Sequence, residues 1–220
     1  MIDKMHLKEA ATDLRYLLNR GYNRKSAIEL VGNRWNLNKD ERHILYRAIF
    51  SNEEIKARKW NEVELEEING KIVAIDTYNV LITIESFLKG YILIEADDDY
   101  LRDISKVHNK YKQSPYTIQV IRLILEKLKP YNPKSVLFFL DKGISHSGEL
   151  AALIKEEINK FELNGDAETV PSSDRSVINQ GEVVISNDRI VLENALAHVN
   201  LLSLLINDLK INKNNLIKIP

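Results

Sequence analysis

Cysteine is absent from the 220 residues, which excludes disulfides, a thiolate metal site and a cysteine nucleophile. No apolar run approaches the roughly 18 residues needed to cross a bilayer. The opening MIDKMHLKEAATDLRY lacks the apolar core of a secretory signal. A cytoplasmic protein without membrane spans is therefore expected. There is no glycine-rich phosphate loop, no persuasive Ser-His-Asp chain order and no histidine spacing suited to zinc. Internal repeats and low-complexity tracts are missing too. With 44% hydrophobic and 29% charged residues, the chain has an ordinary globular composition and can bury a core without covalent staples.

Net charge is also scarce, at −1 overall, but it is unevenly distributed. Residues 1–60 hold 13 Lys/Arg against 8 Asp/Glu, a surplus of +5, and residues 61–220 hold 18 against 24, giving −6. A basic module beside an acidic one suits a nucleic-acid grip next to a metal site, although scattered surface charge explains the same split.

The first sixty residues read as a small all-α domain. Leu7, Ala10, Ala11, Leu14, Leu17 and Leu18 recur on one helical face, and Gly21 suits a stop. A second helix is expected over RKSAIELVGNRW, with Ala27, Ile28, Leu30 and Val31 inward and Gly32 ending it. A third begins at the N-cap type Asn38 and carries Ile44, Leu45, Ala48 and Ile49. The arrangement resembles a helix-turn-helix or another small helical bundle. Its expected exposed basic set is Arg15, Arg20, Arg24, Lys25, Arg34, Arg42 and Arg47, suited to phosphates or simply solvated. Residues 51–70 are polar and read as linker-like, with 61–70 as the boundary itself and Trp60 expected to dock.

From residue 71 to 220 strands alternate with helices. KIVAID, SVLFFLD, AETVP and GEVVIS read as strands, YILIEA as a strand or hairpin arm, and HVN as a last short strand. Between them lie the helical patterns TYNVLITIESFLKG, YTIQVIRLILEKLK, SHSGELAALIKEEINKF, NDRIVLENALA and a closing helix. This order predicts an α/β fold with a mainly parallel sheet covered on both faces. Ligands gather at the carboxyl ends of such strands. There the sequence places Asp76, Asp141 and Asp188, with Asp174 across a Pro-Ser-Ser loop. A single strand-end aspartate often just caps the next helix. Four converging carboxylates repel one another unless a cation neutralises them, and hard Mg²⁺ or Mn²⁺ prefers oxygen ligands.

These residues resemble a known family. IDTYN (75–79) is similar to the D-x-x-N opening of NYN domains, a branch of the PIN-like nucleases. LFFLD (137–141) looks like their second acidic strand, and SND (186–188) like the [ST]-x-D element. Over about residues 71–205 the resemblance implies a three-layer α/β/α fold, Mg²⁺ or Mn²⁺ dependence and endonucleolytic cleavage, usually of RNA. It implies Asp76, Asp141 and Asp188 as metal ligands and Asp174 as the remaining acid. Asn79 would orient the first acid or the phosphate, and Ser186 would support Asp188. Ile190 departs from the pattern, standing where many such sites carry another carboxylate. The stretch LLNRGYNRKSAIELVGNRWNL (17–37) resembles part of a two-part prokaryotic family of domains of unknown function, from which no activity follows.

Ser145, His146 and Ser147 begin a helix beyond Asp141 and could hold a phosphate or merely cap that helix. Arg102, with His108, Lys110 and Lys112, offers a cationic lip for substrate or a solvated surface. The expectation is a metal-dependent endoribonuclease. A non-catalytic nucleic-acid-binding or regulatory protein and a metal-dependent phosphatase stay open, as does the oligomeric state, a homodimer included.

Overall fold

The structure, a computed structural model, describes residues 4–104, 111–209 and 214–219. It opens with α1 (Lys4–Asn19), α2 (Arg24–Arg34), α3 (Lys39–Ala48) and α4 (Asn52–Asn61). Local caps set these boundaries. Asn23 accepts the Lys25 and Ser26 amides, and Asn38 with Glu41, then Ser51 with Glu54, form reciprocal capping boxes. The Ser51–Glu54 pair starts a helix where a linker was expected.

Three expectations for this module need correction. Leu30 is exposed rather than inward. Gly32 does not end α2, which continues to Arg34; it is buried, and a Cβ there would meet the Arg42 guanidinium at 2.2 Å. Trp60 is 89% exposed, and the residue of α4 that docks is Arg58, at 1%. Residues 61–70 are packed as well. The Val63 amide donates to the His198 carbonyl at 2.9 Å, and Leu65 and Ile68 are buried in the main core.

The remainder is α/β. Strands β1 (Ile72–Asp76), β4 (Ser135–Asp141), β5 (Gly165–Val170) and β6 (Val183–Ile185) form a parallel sheet in the order β5-β4-β1-β6. A three-stranded sheet, β3-β2-β7, joins Leu93–Glu95 to Leu101–Asp103 antiparallel and to Leu216–Lys218 parallel. Alternation along the main strands separates two cores. Val73, Ile75, Phe138 and Leu140 pack with α5 (Thr77–Leu88), α6 (Thr117–Leu128), α7 (Ser147–Lys160) and α10 (Leu201–Asp208). Ala74, Phe139 and Val184 face α8 (Ser173–Gln180) and α9 (Arg189–Asn194). The helical module is not a separate bead, because its core continues into Ile94, Ala96 and Ile219 around the small sheet.

The expected HVN strand reduces to single bridges of His198 with Glu62 and Val184. After Pro171 and Ser172 the chain enters helix α8, which carries Asp174, where no helix was expected. Among the described residues no helix is long and apolar enough to cross a membrane.

Strand β5 tolerates no side chain at Gly165, where a Cβ would lie 2.2 Å from the Val136 carbonyl oxygen. That obstacle is backbone within a paired strand and cannot swing aside. Gly165→Ala is expected to destabilise the fold by roughly 2–3 kcal/mol in urea unfolding; a loss below 0.5 kcal/mol would show that the two strands can separate freely.

Candidate functional site

Strands β1, β4 and β6 end at one edge of the main sheet, and each hands over to a helix there. Asp76 is the last residue of β1 and is fully buried. Its Oδ2 accepts from Asn79 Nδ2 at 2.5 Å and from Ser186 Oγ at 2.7 Å. Its Oδ1 is buried without a hydrogen-bond partner among the described residues. Burial and the Asp174 charge push this carboxyl up to about 7, with Asp188 adding to the rise and the Ser186 and Asn79 bonds opposing it.

Asp174 and Asp188 lie close enough to act on its charge, although Asp76 is not among the residues lining the cavity described below. Asp141 ends β4 and accepts the Ser173 amide at 2.9 Å and the Ser173 hydroxyl at 3.1 Å. It thereby serves the start of α8, whose N-cap Ser172 makes no side-chain cap. Asp174 lies in the first turn of that helix. Asp188 caps α9 by accepting the Ile190 amide at 2.8 Å. Asn79, Asp141, Asp174 and Asp188 line one cavity of about 280 Å³, together with Arg47, Pro171 and Ser172.

Ser186 sits differently from its expected place. Its hydroxyl supports Asp76 rather than the Asp188 carboxylate, and it accepts only the backbone amide of Asp188, at 3.0 Å. Between them Asn187 is buried and donates to Thr83 Oγ1 at 2.5 Å and to the Leu101 carbonyl at 2.9 Å. The Ser-Asn-Asp strand end is therefore anchored to α5 and to the small sheet.

The secondary candidates do not join the acids. Ser145 and His146 line a different cavity, of about 730 Å³, with Tyr78, Tyr111 and Lys112. His146 is left-handed, with φ 63°, and exposed, bonding Glu149 at 2.9 Å. Ser147 is buried in the first turn of α7, and neither serine is the N-cap of that helix, which is His146. Arg102 is no cationic lip. It is 1% exposed, grips Asp98 through two 2.6 Å bonds and donates from Nε to the Asn187 carbonyl at 3.1 Å. His108 and Lys110 lie outside the described residues.

The basic set of the helical module is largely engaged as well. Arg15 binds Asp97, Arg24 binds Glu54 and the Ile49 carbonyl, and Arg42 binds the Leu37 carbonyl. The residue that sequence reasoning failed to single out is Arg47. It sits in the last turn of α3 yet lines the acidic cavity. Its only sequence signal was membership of that basic group.

Two family models match successive parts of the chain. Residues 65–204 match the model of a domain of unknown function, DUF5616, and residues 6–60 match a protein family of unknown function, DUF434. The chain belongs to the DUF5616 family. It is also 37% identical over 189 residues to a protein of Methanocaldococcus jannaschii described as uncharacterized, covering 86% of this chain and 90% of that one. No solved structure matches the chain significantly. In this DUF5616 chain the four acids and Asn79 all fall inside the matched segment, whereas Arg47 falls inside the DUF434 segment.

Proposed function

We propose that this chain is a divalent-metal-dependent nuclease with a PIN-like α/β/α domain, hydrolysing phosphodiester bonds, with RNA the favoured substrate. One observation carries the reading. Asp76 is entirely buried at a strand end, with one oxygen unpartnered and its charge opposed by Asp174 and Asp188. Keeping a carboxyl in that position is unfavourable in the protein alone, and a hard cation would offset the cost.

Among the described residues no three His, Asp or Glu side chains are grouped closely enough to grip an ion together. Mg²⁺ typically keeps several waters and takes one or two carboxylates directly. Asp76, Asp141 and Asp188 are the proposed ligands, direct or through water, and Asp174 is the remaining acid. Mg²⁺ or Mn²⁺, when bound, supplies Lewis acidity and an activated water. The chain's own residues hold the geometry. Asn79 and Ser186 fix the orientation of Asp76, Ser173 fixes Asp141, and the start of α9 fixes Asp188.

The absence of a tight carboxylate group among the described residues favours one competing reading, a nucleic-acid-binding protein that does not turn over. Titration of Mn²⁺ into wild type and Asp188→Asn, followed by incubation with labelled single-stranded RNA, separates the two. Wild type is expected to bind Mn²⁺ and cleave, and the variant to lose at least about 100-fold in cleavage rate while its circular dichroism stays unchanged. RNA binding by a folded wild type with no Mn²⁺-dependent cleavage would establish the competing reading instead.

A further inference from the structure

We infer that Arg47, supplied by the helical module, is the phosphate clamp of the acidic cavity, so that the substrate site is complete only where the two family segments meet. The inference rests on the nuclease reading and adds to it a group that recognises substrate.

Arg47 differs from the other arginines of the module in lining the acidic cavity. Arg15, Arg24, Arg42 and Arg58 each spend their guanidinium on a carboxylate or carbonyl within the fold. The Nε of Arg47 is buried with no hydrogen-bond partner among the described residues, as is that of Arg58, whose two terminal nitrogens are nevertheless paired with Asp98 and Glu193. The side chain lines the cavity that holds Asn79, Asp141, Asp174 and Asp188, and it borders a second space of about 80 Å³ shared with Arg102 and Arg189. Burial and the neighbouring Arg102 charge disfavour its cationic form, while Asp188 and Asp103 favour it. A guanidinium nevertheless stays charged in proteins, and a buried donor left unbonded costs free energy.

A ligand anion would supply the missing acceptor. The planar guanidinium matches two oxygens of a phosphodiester at once, which a lysine ammonium does not. With the acids neutralised by cation, Arg47 would contact the scissile phosphate in the cavity it shares with them, stabilising charge as it develops there. The basic surplus of residues 1–60 would then act through one inserted side chain rather than through a broad surface.

The test uses fluorescence anisotropy of the full chain with a fluorescein-labelled single-stranded RNA of about ten nucleotides in Ca²⁺, across a salt series, beside a separate Mn²⁺ titration. Arg47→Ala is expected to weaken RNA binding at least tenfold and to reduce the salt slope by about one, as for one lost phosphate contact. Arg47→Lys should restore only part of that loss. Arg20→Ala, changing an exposed arginine that stacks on Tyr16, should bind like wild type. Mn²⁺ affinity should be unchanged or tighter in Arg47→Ala, because a cation beside Asp188 has been removed. RNA binding by Arg47→Ala within twofold of wild type, or loss of its Mn²⁺ binding as well, overturns the clamp, as does a wild type that binds no RNA. Failure of the acid site shows separately, as a wild type that takes up no Mn²⁺.

Discussion

Replacing Asp76 by Asn is expected to abolish metal-dependent cleavage and, in EDTA at pH 8, to make the protein harder to unfold. Both effects come from the same burial. The Asp76 carboxyl is pushed up to about 7, against an ordinary value of 3.8, so the metal-free folded state prefers it protonated. The unfolded chain gives up that proton above about 3.8 and the folded chain only near 7. Between those values the folded state binds more protons, and stability falls as pH rises, levelling off above about 7. The gap corresponds to on the order of 4 kcal/mol.

Asn carries no charge to bury, and its carbonyl oxygen can accept the Asn79 and Ser186 bonds that Asp76 Oδ2 accepts. Its amide nitrogen would occupy the place of the unpartnered Oδ1, which returns part of the gain. A net gain of roughly 2 kcal/mol at pH 8, shrinking toward zero at pH 4, is expected from urea unfolding in EDTA. A variant less stable than wild type at pH 8 would mean that Asp76 is a structural acid and that its burial has been misread. Saturating Mn²⁺ should reverse the order if the ion binds at Asp76 as proposed, since only wild type would then gain binding free energy from it.

The second large effect lies away from the acids. Asp98 is fully enclosed and binds two buried guanidiniums, Arg58 of α4 and Arg102 of β3. Burial alone would raise its carboxyl, but Arg102 and Arg58 hold it below the usual range. Both arginines stack on Phe50, at 3.9 and 4.9 Å, and Arg58 continues to Glu193 of α9 at 2.8 Å. Beside this cluster Tyr100 and His198 share a 2.6 Å hydrogen bond.

Asp98→Ala would leave two buried cations without their common partner. Removing one member of such a network costs roughly 3–5 kcal/mol, equivalent to a fall of roughly 10 °C in Tm for a chain of this size. Because Arg102 also holds the Asn187 carbonyl, the Ser-Asn-Asp strand end should loosen, visible as faster amide exchange around residues 186–188. Thermal unfolding within 1 kcal/mol of wild type would show that the cluster contributes orientation but little stability.

How far the sequence carried is clearest in single residues. Asp76, Asp141 and Asp188 could be placed because each follows an apolar run long enough to be a buried strand, and a strand's end is a local property of the chain. Asn38 announced its helix by a cap that spans three residues. Ser51 and Glu54 carried the same signal, but it was obscured by the polar composition of the segment around them. Arg102 was misplaced, and the burial of Arg58 went unforeseen, for a different reason. Whether a charged side chain is buried depends on its partners, and Arg58 finds Asp98 40 residues away and Glu193 135 residues away.

The sequence by itself therefore determined the alternation of elements, the parallel sheet and which carboxylates stand at its edge, since these follow from local periodicity and chain order. Only the tertiary structure decided that Asp76 is sealed in with one oxygen unpartnered, that Arg102 is a tie within the fold, and that Arg47 crosses from the helical module into the acidic cavity. Burial and charge proximity are sums over neighbours distant in the chain, and no local pattern encodes them.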